Sequence, residues 1–87
     1  MNKDHILFQL REAFEELNRT IEEIGSTPDY GEPDFEVAIT HIYHHLNTAW
    51  NSRNENGNVT TTCSDVDFSR WRQFPKDIDL RTKDAYQ

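Results

Sequence analysis

The sequence predicts an all-α fold: an antiparallel helical hairpin with a short C-terminal helix or arm, completed as a four-helix bundle by dimerisation. Three observations lead there. Apolar residues recur at spacings of three and four through the first 25 positions, the period of one helix face. A second run of the same period follows a turn rich in Pro and Gly. Leu, Ile, Val and Phe make up only 19 of the 87 residues, so one small domain spanning 1–87 holds too little apolar material to cover two long stripes alone. The C-terminal arm is expected to cover one side of the hairpin and a second copy of the chain the other.

The first helix is expected over about 3–25. Ile6, Leu7, Leu10, Ala13, Phe14, Leu17, Ile21 and Ile24 form its stripe, and 7, 10, 14, 17, 21 and 24 make an a/d seam. Arg11–Glu15, Glu15–Arg19 and Arg19–Glu23 are i,i+4 pairs on the other face. Phe8 points away from the stripe and needs separate cover, and Gly25 is the expected stop. The second helix is expected over about 33–54, opened by Pro33 with Asp34 and Glu36 in its first turn and broken before Gly57. Its predicted buried face is Phe35, Ala38, Ile39, Ile42, Leu46, Ala49 and Trp50, with Tyr43 on the margin.

Beyond Gly57 the residues Val59–Thr62 read as an extended linker, having strand propensity but no partner strand. Ser64 and Asp67 resemble a capping box opening a short helix at about 65–73, which carries Val66, Phe68, Trp71 and Phe74. Pro75 stops it, and 76–87 is a polar tail.

Charge excludes several function classes. Acids outnumber bases 16 to 9, a net charge of −7, and the whole excess lies in residues 1–36. A nucleic-acid binder would carry a basic footprint instead. No apolar run is long enough to span a membrane, no leader pattern opens the chain, and Cys63 stands alone. These features point to a cytoplasmic protein that binds neither membrane nor nucleic acid.

Catalytic patterns fail on inspection. Cys63 lacks a nucleophile signature, Glu15/Glu16 and Glu22/Glu23 diverge around a helix, and three scattered glycines build no phosphate loop. The chain reads as a non-enzyme without a cofactor. Arg70-Trp71-Arg72 with Phe68 and Phe74 is better explained by aromatic rings docking on the hairpin than by base stacking.

The second helix carries the main candidate surface. From Val37 to Ser52 there is no Asp, Glu, Lys or Arg, a depletion expected of a covered surface. The interface candidates are Thr40, His41, His44, His45, Asn47, Thr48, Trp50 and Asn51, together with Trp71. His41 and His45 are also the metal candidates, one helical turn apart and continued by Thr48 and Ser52 in the same row. No spacing rule supplies their remaining ligands, and the zinc-protease Glu is missing after His41. The leading expectation is therefore a small acidic, non-catalytic interaction or regulatory protein that forms a homodimer. The alternatives are an acidic nucleic-acid mimic that inhibits a basic partner, and a metal-binding bundle using His41 and His45.

Overall fold

The computed structural model describes residues 1–57, 64–79 and 81. Its described residues form three helices: α1 (Lys3–Ser26), α2 (Glu32–Asn51) and α3 (Asp65–Trp71). α1 and α2 pack along their length as an antiparallel hairpin, and α3 packs on α2. The molecule measures 44 × 35 × 21 Å, about two helix diameters in its thinnest direction.

The helix ends follow local chemistry. Asn2 caps α1 by accepting the His5 backbone N–H at 3.2 Å. The same residue clamps the end of α2: its side-chain amide donates to the carbonyls of Glu55 and Gly57 at 2.9 Å, and its backbone N–H donates to the Arg53 carbonyl. α1 runs one residue past the expected stop. Gly25 is helical, and extended Thr27 (φ −109°, ψ 104°) breaks the helix before Pro28, because proline disfavours the helical region for its predecessor. The positive φ that favours glycine occurs at Gly57 (+73°).

α2 opens at Gly31, whose N–H donates to Asp34 Oδ2 at 3.0 Å. It ends at Asn51 rather than near 54, because the backbone tightens into turns through Ser52 and Arg53. Ser64 and Asp67 close the expected capping box on α3. That helix ends at Trp71, before Pro75 acts. Val59–Thr62, Cys63 and most of the predicted polar tail lie outside the described residues. Of that tail, Asp77 is anchored by the Trp50 indole N–H at 2.8 Å and by Arg53 at 3.4 Å.

The apolar stripes do not close the hairpin, and this corrects the predicted buried face of α2. Ala38, Ile42 and Ala49 are buried, Ile39 and Trp50 are half-buried, and Phe35 and Leu46 are exposed. On α1 the buried residues are His5, Gln9, Ala13 and Thr20, whereas the whole a/d seam is exposed. The hydrogen-bonded pairs His5–Ser52 and Glu16–His41 share one antiparallel register, and Gln9 reaches His45 beside it. Ala13, Thr20, Ala38, Thr48, Ala49 and Ser52 keep this seam narrow. Hydrogen bonds and small side chains therefore join the two helices, in place of interdigitated Leu and Phe.

Candidate interaction surface

The row His41, His45 and Thr48 of α2, continued by the C-cap Ser52, lies against α1. Ser52 Oγ donates to the Thr48 carbonyl and must therefore accept from His5 Nε2 at 2.8 Å. That assignment leaves His5 Nδ1 as a buried lone pair without a partner. Burial holds the His5 pKa below its ordinary value, outweighing the opposing pull of Glu55. His45 Nδ1 donates to Gln9 Oε1 at 2.9 Å. His41 Nδ1 donates to Glu16 Oε1 at 3.1 Å.

The other flank of α2 is taken by α3 and its extension. Asn47 donates to the Arg72 carbonyl at 2.8 Å. Asn51 donates to the carbonyls of Trp71 and Gln73 at 2.9 and 2.7 Å. These amides satisfy carbonyls at the C-terminal end of α3 that have no helical partner, and Trp71 itself is 4% exposed. Tyr43 receives Phe74 edge-on, with centroids 5.1 Å apart. The uncharged stretch of α2 is thus a central element with α1 on one flank and α3 on the other. Thr40 is exposed, and Trp50 is half-buried under Arg53, whose guanidinium stands 3.9 Å from the ring centroid.

His44 sits with His41 and His45 in an open depression of about 290 Å³, walled by Phe8, Phe68 and Arg72. Phe8, which the sequence leaves in need of separate cover, stays 40% exposed and shares the wall of this depression with Phe68. Burial lowers the His44 pKa first, and the neighbouring Arg72, His41 and His45 lower it further. Among the described residues no group of three or more His, Cys, Asp or Glu is placed to hold a metal ion. Cys63, one conceivable further ligand, lies outside the described residues.

The most unusual surface is the one left bare. Leu7, Leu10, Phe14, Leu17, Ile21, Ile24, Phe35 and Leu46 are each 41–68% exposed. At about 100° per residue, the α1 seam lies about a quarter turn from the His5–Gln9–Ala13–Glu16 row. Phe35, Ile39 and Leu46 lie a quarter turn from the matching row of α2, in the same rotational sense. For antiparallel helices, equal rotations in the same sense end on the same side of the pair. The two stripes therefore form one apolar face. Phe8 and His44 turn the opposite way, onto the side that α3 covers.

Charge is absent from this face apart from its ends, where Lys3 and Arg53 stand at one and Glu32 at the other. Glu12, Glu15, Glu22 and Glu23 project from other sides of α1. Sequence reasoning found the stripes through their period, but Asn2, Gln9 and Glu16 carried no signal, since polar residues on a helix are read as solvated.

No family model, curated protein or solved structure matches this chain. None of the described helices is long and apolar enough to cross a membrane.

Proposed function

We propose that this protein is a non-catalytic interaction protein whose working surface is the bare face formed by the a/d seam of α1 and by Phe35 and Leu46 of α2. One observation carries this reading: eight large apolar side chains of one face are exposed, while the polar His5, Gln9, Thr20 and Thr48 are buried in the seam between the helices. The exposed area of those eight side chains is on the order of 800 Å², the contribution of one partner to a standard protein–protein interface and more than the largest apolar patch of most monomers. A four-helix bundle is the form the assembly takes when the partner is itself a helical hairpin.

A photo-crosslinking phenylalanine analogue tests the surface directly. Placed at Phe14, which is 68% exposed on the face, it should give protein adducts in extracts of the native host. Placed at Glu15, exposed on a side of α1 turned away from the face, it should give none. Absence of any adduct from position 14, at all protein concentrations, overturns the reading.

A further inference from the structure

We infer that the occupant of the apolar face is a second copy of this chain, stacked face to face across a two-fold axis. The inference rests on the interaction reading above and names its partner. Four observations carry it. First, the area matches: a bare face on the order of 800 Å² on each of two copies is what a standard dimer needs.

Second, the face is complementary to itself. Its two stripes run antiparallel and side by side from Phe35 to Leu46 of α2, so a two-fold axis lying between the layers sets apolar stripe on apolar stripe over that stretch. The α1 stripe has the alternating spacings of three and four that pack helix on helix at a shallow crossing angle.

Third, the net charge of −7 does not oppose the pairing. The acids of α1 lie off the face, separated from the partner by the hairpin and by solvent that screens exposed charge beyond about 8 Å at physiological ionic strength. Fourth, among the described residues no segment lies over the face, whose eight side chains stay 41–68% exposed. The arm through α3 docks on the other flank of α2, and its extension reaches the margin of the face through Phe74 on Tyr43 and Asp77 on Trp50.

Sedimentation equilibrium of the purified chain tests this. The expected result is twice the 10.3 kDa chain mass at micromolar concentration. Phe14→Glu and Ile21→Glu should each raise the dimer dissociation constant at least about 100-fold, the consequence of seating an unpaired carboxylate in a dry contact, with helical circular dichroism retained. Glu15→Gln, on a side of α1 turned away from the face, should leave it unchanged. Should a Glu variant lose its fold, Phe14→Ala replaces it and should weaken the dimer about tenfold.

A dimer insensitive to all three face substitutions overturns the inference, because the contact then lies elsewhere. A wild-type monomer up to about 100 µM overturns it as well. The position-14 crosslinker separates the two failures: adducts only with a different protein overturn the second copy and keep the interaction surface, whereas no adducts overturn both.

Discussion

Replacing Trp71 by Ala removes one of two large apolar side chains buried among the described residues, the other being Ile42; the remaining buried apolar residues there are Ala13, Ala38 and Ala49. At 4% exposure, truncation withdraws roughly 200 Å² of buried apolar area, about 5 kcal/mol at 25 cal/mol/Å². Residual compactness of the unfolded chain lowers that to about 3–4 kcal/mol, within the usual range for a buried aromatic. The exposed Arg70 guanidinium, 5.4 Å from the Trp71 ring centroid, adds at most about 0.5 kcal/mol. A chain of this size holds roughly 4–13 kcal/mol in total, so the loss is a large fraction of its stability. Urea unfolding followed by circular dichroism at fixed protomer concentration measures it, the concentration being held because dimer stability depends on mass action. A shift below about 0.5 kcal/mol would refute the reasoning, since it would mean that α3 does not dock through this ring.

Asn51→Ala should destabilise by about 1–2 kcal/mol by orphaning the Trp71 and Gln73 carbonyls, and in the Trp71→Ala background its effect should shrink, as a double-mutant cycle would record. Ser64→Ala should cost about 1 kcal/mol by removing the acceptor for the Asp67 N–H, measured the same way. His5 has a folded-state pKa depressed below 6.5 by burial, so the unfolded chain binds its proton first. Its stabilising contribution is complete above pH 6.5 and is lost as pH falls through the depressed value. Unfolding free energies at pH 7.5 and 5 should therefore drop toward acid, and His5→Asn should flatten that slope; an unchanged slope in the variant would assign the acid sensitivity to other groups.

Much of the fold was legible in the sequence because it is written in local chemistry. The helices of α1 and α2 follow from a 3.6-residue period, the start of α2 from Pro33 and Asp34, and the start of α3 from the Ser64–Asp67 box, all interactions within a few residues. The α1 stop was misplaced by one residue because Thr27-Pro28 ends the helix before a glycine conformation is needed.

The sequence by itself thus determined three helices and which of their residues are apolar. Only the tertiary structure decided which faces meet. Amphipathic reasoning assigns the apolar stripe to the core, yet here α1 and α2 join through His5, Gln9, Ala13, Glu16 and Thr20 against Ala38, His41, His45, Thr48 and Ser52. That choice depends on pairings 25 to 47 residues apart in the chain, where a His finds a Ser, a Gln or a Glu across a narrow seam. A residue's period reports its own helix and not its partner, so a polar row satisfied by another polar row looks in sequence like one facing water, and an apolar row left bare looks like a core.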